Sequence, residues 1–348
     1  MGRGLSVGRD RLSYGDDITG VRIEARVGGS RCRCRTTHRN GGHDHLTDST
    51  SKRLDLLDPY TVAQLGGIEL VARGVVEGFL AGLHRSPFRG FSVEFAEHRP
   101  YQPGDELRYL DWKMLARSDR LFVKQYEEET NLRAMIVFDA SASMDWSGSD
   151  DRLTKLEYAK RLVAALSLIT LRQRDATGLI VFDEVVRDAV RARVRSGQWW
   201  SLLLAIERLA PGGGTAAEPA LRMVTDLLRR RGLVILVSDL LLDRDLALRT
   251  LQYLRHRGHQ VMVFHLMDPA ELVLEGPAEA RFRDPETGAS VVARPRELRD
   301  VYEATVRRTV SAWRAACRGG GIDYHHVLTT MPFGYVLRRA TARRTRLG

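Results

Sequence analysis

Four short apolar runs constrain this chain more than any other feature: "RAMIVFD" (133–139), "ATGLIVFD" (176–183), "GLVILVSD" (232–239) and "VMVFHLMD" (261–268). None alternates with polar residues, so each reads as a strand buried on both faces. Helical stretches fall between them. In "DRLTKLEYAKRLVAALSLITLRQRD", Leu156, Ala159, Leu162, Val163, Leu166 and Ile169 share one side. "SGQWWSLLLAIERLAP" reads as a helix capped by Ser196, and "AAEPALRMVTDLLRRRG" as one ending at Gly232. "RDLALRTLQYLRHRGHQ" and "ELRDVYEATVRRTVSAWRAACRGGG" complete the helices, and "IDYHHVLTT" is a last strand. "DAVRARVR" does alternate, which suits a sheet edge. Strands alternating with helices imply an α/β fold with a mostly parallel sheet covered on both sides.

The rest of the chain divides around this unit. Residues 131–348 form the α/β domain, with a hairpin insertion near 270–295 signalled by "FRDPETGASVV". Residues 53–130 read as one helix over Pro59–Leu83 followed by a small β-rich module, in which "SVEFAEHR" and "LFVKQYEE" alternate like strands. Residues 1–52 lack sustained periodicity and are expected to be a disordered or mis-called leader outside the fold. Cys32 and Cys34 lie there near His38, His43 and His45, but a C-x-C spacing is poor for zinc.

With three cysteines in 348 residues, no disulfide framework is expected. No apolar run approaches the roughly 18–20 residues that span a bilayer, and the amino terminus has no secretory apolar core, so the expected address is the cytoplasm. The net charge of +10 is spread along the chain, with its densest cluster at Arg338–Arg346. A solvated helix end or a patch for an acidic partner suits that cluster better than nucleic acid, since no aromatics are interleaved with it.

Chemistry concentrates where the strands end. In "FDASASMD" the first run terminates in Asp139, with Ser141 and Ser143 in the loop beyond it. "GGGTA" places Thr215 in a glycine-rich loop, and "ILVSDL" ends a strand at Asp239. Open α/β sheets bind ligands beyond the carboxyl ends of their strands. Two carboxylates and three hydroxyls make a hard-oxygen set suited to Mg²⁺, with Mn²⁺ or Ca²⁺ as alternatives. Taken singly, each of the five also has a structural use as a cap or turn residue. Asp183 is read as an edge turn, Lys155 as packing or solvated, and His325 and His326 as structural.

"DASASM", "GGGT" and "VSD" together resemble the metal-ion-dependent adhesion site of a von Willebrand factor A domain. Upstream, the pattern carried by Glu94, Phe95, Arg99, Tyr101, Gly104, Asp105, Arg108, Asp111 and Trp112 resembles the signature of a bacterial family of uncharacterised proteins encoded beside MoxR-type AAA+ ATPases. The resemblance runs from about Leu54 to the carboxyl end and implies a Rossmann-like von Willebrand factor A fold. It further implies a divalent ion held by Asp139, Ser141, Ser143, Thr215 and Asp239, and a MoxR-like ATPase as partner in handling an unidentified client protein. Many members carry transmembrane helices ahead of the signature, so this chain resembles the short soluble branch. Asp105, Arg108 and Asp111 suit either a partner site or a salt-bridge network, and Trp112 a core or interface anchor. The expected function is protein binding rather than catalysis, with a Mg²⁺-dependent phosphohydrolase or nuclease as the alternative. No P-loop motif is present, and no His or Lys stands in the sequence as an obvious base beside the five oxygens.

Overall fold

The computed structural model describes residues 22–23, 57–64, 66–84, 98–101, 115, 121–124 and 132–344. Near the amino terminus, β1 (Arg22–Ile23) precedes α1 (Pro59–Gln64) and α2 (Ile68–His84). The single helix expected over 59–83 is therefore two. The chain breaks at Gly66 and Gly67, where two adjacent residues without side chains favour leaving the helix. Next come β2 (His98–Pro100) and β3 (Phe122–Lys124), paired antiparallel with Arg99 opposite Val123. Tyr101 prolongs this ladder by donating its amide to Leu121 O at 2.9 Å. Of the upstream signature, Glu94, Phe95, Gly104, Asp105, Arg108, Asp111 and Trp112 lie outside the described residues.

The apolar runs become the strands expected of them. β4 (Arg133–Asp139), α3 (Lys155–Arg172), β5 (Ala176–Phe182) and β6 (Val186–Arg193) are followed by α4 (Gln198–Glu207) and α5 (Ala217–Leu227). Then come β7 (Gly232–Ser238), α6 (Arg244–His256), β8 (Gln260–Met267), the hairpin β9 (Ala280–Arg283) and β10 (Ser290–Ala293), α7 (Pro295–Gly319), β11 (Asp323–Leu328) and α8 (Phe333–Arg344). Two local readings are corrected. Ser196 does not cap α4: Gly197 does, in a left-handed conformation with φ of 81°. Gly232 does not end α5 but opens β7, where a Cβ would lie 2.4 Å from Arg133 O.

Six strands form one sheet in the order β11-β8-β7-β4-β5-β6. All pair parallel except the edge strand β6, whose exposed, alternating residues run antiparallel to β5. One face of the sheet packs against α2, α3, α4 and α8. The other packs against α5, α6 and α7, with Trp313 and Cys317 of α7 buried in it. The mostly parallel sheet between two helical layers is the Rossmann-like α/β architecture expected of a von Willebrand factor A fold. α2 contributes Val71, Ala72, Val75, Val76 and Phe79 to the same core as α3. β1, in the stretch expected to be leader, pairs with β9. Among the described residues no helix is long and apolar enough to cross a membrane.

The chain leaves β4 toward β5 on one side and returns to β7 on the other. That reversal opens a crevice at the carboxyl ends of β4 and β7, which carry Asp139 and Asp239. On the opposite side of β4, the fit of β5 to β6 is tight. A Cβ on Gly178 would meet Ala192 N and Val190 O, both at 2.6 Å, and neither backbone atom can yield cheaply. Gly178→Ala is expected to lower the unfolding free energy by about 1–3 kcal/mol. An unchanged urea midpoint would show that β6 does not close on β5 at this residue.

Candidate functional site

β4 ends with Asp139 fully buried, and the loop beyond turns on it. Asp139 Oδ1 accepts the Ser141 amide at 2.9 Å, and Oδ2 accepts the Ser238 hydroxyl at 2.6 Å. Ser141 Oγ and Ser143 Oγ stand 3.1 Å apart. The glycine-rich loop is bonded directly to this turn, with Ala142 N donating to Gly213 O and Gly212 N to Ala140 O, both at 3.1 Å. Gly213 adopts φ of +70°, and a Cβ there would sit 2.9 Å from Asp183 Oδ2. The loop that presents Thr215 thus needs a glycine on both conformational and steric grounds. Asp183 caps the turn into β6 through Val185 N and pairs with Arg187 at 2.5 Å, as its reading as an edge turn implies.

Thr215 is bonded to a residue of the hairpin insertion that the sequence does not single out. Glu286, from the β9–β10 hairpin, accepts the Thr215 hydroxyl at 2.5 Å, and the Ser143 hydroxyl lies near enough to favour its charged form. Asp239 lies close enough for its charge to act on both Asp139 and Glu286. All five sequence-derived positions therefore converge on one crevice.

Lys155 departs from expectation. It neither solvates nor simply packs: its Nζ is buried and lies 2.7 Å from Asp239 Oδ2 and 2.6 Å from Glu271 Oε1. Thr154 caps α3 and sets Lys155 as its first residue, with its amide on Trp146 O. Glu271 is held from behind, where its other oxygen takes the Asp268 amide at 2.7 Å in a capping box. Asp268 in turn holds Arg152 at 2.8 Å and Thr329 at 3.1 Å. No local pattern marks Lys155 or Glu271, because their partnerships span 84 and 116 residues.

The electrostatics follow from this crowding. Burial, then the charge of Asp239, pushes Asp139 up to about 7 against the pull of Ser238 and Ser141. Burial also raises Glu271 and Glu286 despite their hydrogen bonds. Burial alone would lower Lys155, but Asp239 and Glu271 outweigh it and hold the ammonium above its ordinary range. A lysine does stand beside the five oxygens, then, yet as a fixed cation rather than a base. His325 stacks on Phe264 and His326 contacts Met267 Sδ, so both serve packing.

Asp239 and Glu271 share the one ammonium of Lys155, while Asp139 and Glu286 feel the charge of Asp239 without a cation of their own. The crevice fits a hard cation chemically, with hydroxyl and carboxylate donors and a surplus of negative charge. Among the described residues no three His, Cys, Asp or Glu side chains form a metal-binding group, so any ion here depends on Ser141, Ser143 and Thr215.

Removing the ammonium strands two buried carboxylates. Lys155→Met is expected to cost about 3–5 kcal/mol in urea unfolding, with Glu271→Gln in the same chain restoring part of it. A loss under about 1 kcal/mol would mean the pair is solvated. Asp139 gives the fold a pH dependence when chelator is present. Between about pH 4 and 7 the folded chain keeps this proton while the unfolded chain releases it, so stability falls as pH rises and levels off above about 7. Asp139→Asn lacks that fall. Its unfolding free energy should gain on wild type through the same window, by about 4 kcal/mol at most. Parallel curves for the two proteins would refute the burial of an ionisable Asp139.

The family model described as "Protein of unknown function DUF58" matches residues 97–312. Uncharacterized proteins of Mycobacterium tuberculosis and Mycobacterium bovis are each 28% identical over 240 residues, spanning 68% of this chain and 74% of their own. Among solved structures, the conserved hypothetical protein BatB from Bacteroides thetaiotaomicron is 20% identical with a TM-score of 0.43, over 62% of this chain and 99% of that one. The SpRpn10 VWA domain is 11% identical with a TM-score of 0.39, over 60% and 94%. Matched over more than half its length, the chain belongs to the DUF58 family of proteins of unknown function.

Proposed function

We propose that the crevice is a divalent-cation site through which the protein grips a partner. The observation that carries this reading is the meeting of Asp139, Ser141, Ser143, Thr215 and Asp239 at the carboxyl edge of one sheet, among more carboxylates than one lysine balances. Mg²⁺ suits the set best, and Mn²⁺ or Ca²⁺ could replace it. Hydroxyl donors leave an ion's charge largely unneutralised. A bound cation would therefore favour one more anionic ligand, such as an Asp or Glu from another protein, in a charge-assisted contact.

The resemblance of the upstream signature to proteins encoded beside MoxR-type ATPases suggests the partnership. In this reading the chain is an adaptor or co-chaperone of a MoxR-like AAA+ ATPase acting on a client protein, and it works in the cytoplasm. Binding is favoured over hydrolysis because a metal-dependent hydrolase needs a base beside the attacking water. The lysine nearest the crevice is held charged by two carboxylates.

The test is capture of a MoxR-like AAA+ ATPase from the same organism by the full-length protein, with Mg²⁺ or with EDTA. Capture should need Mg²⁺ and should fall at least tenfold in Asp139→Ala, a loss of about 1.4 kcal/mol or more, while the variant keeps its circular dichroism. Equal capture by Asp139→Ala, or capture indifferent to EDTA, would remove the metal from the mechanism.

A further inference from the structure

The β9–β10 hairpin adds no strand to the six-stranded sheet; among the described residues it pairs only within itself and with β1. Its apolar contacts form a separate small cluster of Leu274, Ala280 and Phe282, with Ala293 and Tyr302 against it, apart from both main cores. Val291 and Val292 face solvent. The loop at its tip is nonetheless well made. Asp284 N donates to Ala289 O at 2.8 Å and Gly288 N to Asp284 O at 2.9 Å, with Gly288 at φ of +72°. The Asp284 carboxylate takes the Glu286 amide at 2.9 Å and the Thr287 hydroxyl. A firm loop on a lightly anchored stem thus presents one side chain, Glu286, to Thr215 and Ser143.

Those are two of the three hydroxyls of the crevice, and the carboxylate that takes the Thr215 hydroxyl comes from 71 residues away in the same chain. Bringing an acid beside Asp239 is unfavourable unless hydrogen bonds or a cation compensate it. A contact made at that cost, by a loop shaped to make it, points to use rather than accident. We propose that Glu286 is the crevice's own acidic ligand. The hairpin supplies in cis the carboxylate that a partner would bring in trans, and an outside carboxylate binds only where Glu286 has withdrawn. This rests on the cation-site reading above and deepens it. The site is self-occupied, and the hairpin sets how readily a partner gains it. Tethering gives Glu286 a high effective concentration, so a lone carboxylate in solution competes poorly with it.

Mn²⁺ alone is the probe, with the full-length chain as wild type, Asp139→Ala, Glu286→Ala and Glu286→Gln. Free Mn²⁺ is counted by electron paramagnetic resonance, and water-proton relaxation reports how many waters the bound ion carries. Asp139→Ala should lose Mn²⁺ binding. Glu286→Ala should bind roughly tenfold more weakly, with stronger relaxation per bound ion because water replaces the carboxylate. Acetate at about 0.1 M should reverse that gain in Glu286→Ala, where the position is open, and leave wild type, whose tethered carboxylate already fills it, unmoved. Glu286→Gln keeps the side chain's size and an oxygen for the Thr215 hydroxyl, so it carries the test if Glu286→Ala unfolds. Wild-type affinity and relaxation in both Glu286 variants, or acetate acting equally on wild type, would overturn the self-ligand while the cation site stands. Mn²⁺ binding that is absent from wild type, or unchanged in Asp139→Ala, would take both readings down.

Discussion

The crevice depends on one buried ammonium. Lys155 sits between Asp239 and Glu271 with almost no solvent on it, and ion pairs at that depth are strong only when geometry and hydrogen bonds are complete. Here they are. Thr154 fixes the start of α3, and the capping box around Asp268 fixes Glu271. Arg152 and Thr329 fix Asp268 in turn. The network ties the first turn of α3 to the ends of β7, β8 and β11. It therefore decides where the carboxyl edge lies, and with it where Asp139, Ser141 and Ser143 can point. It also sets the charge of the crevice. Asp239 spends one oxygen on Lys155 and the other on Leu241 N at 3.3 Å, so the serines and the threonine carry more of any direct grip on a ligand.

Two degrees of rigidity follow. The loops after β4 and before α5 are bonded to each other through Ala140, Ala142, Gly212 and Gly213, and both rest on the main cores. The hairpin rests on a cluster of its own and touches the crevice through one side chain. Groups that must keep fixed geometry stand on the first, and the group whose contact is weakest anchored stands on the second. That is the distribution expected where one part of a site is preorganised and another is drawn from the low-stability end of the structure.

Much of this was legible in the sequence because it depends on local pattern. A parallel strand buried on both faces must be apolar throughout, so β4, β5, β7 and β8 announce themselves, while β6 alternates because one of its faces meets water. The crevice follows from the strands, since Asp139, Ser143 and Asp239 stand just where the runs stop. Errors arose where a neighbour outside the window decided. Ser196 had the right chemistry for a cap, but Gly197 could take the left-handed turn and removed the need. Gly232 had the right place for a helix end, yet it was wanted where the backbone of β4 comes close. The helix over 333–344 was hidden in a stretch marked mainly by its arginines. Lys155 looked like one more polar residue of an amphipathic helix, and Glu286 like the polar tip of a turn. Their partners lie 84, 116 and 71 residues away, a range over which periodicity carries no signal.

These two misreadings share a cause that bears on function. A sequence motif names residues that converge on a ligand, but not those that balance or imitate one. Lys155 balances: it answers part of the charge of Asp239 permanently, so the crevice is less negative than its carboxylates suggest and would hold a doubly charged ion less tightly than an all-carboxylate cage. Glu286 imitates, offering the anionic group that such an ion would otherwise take from outside. Weak retention and self-occupancy act in the same direction. Both favour a contact that is made and broken over one that is permanent, which suits a module that must release what it grips more than one that must hold a catalytic metal through many turnovers.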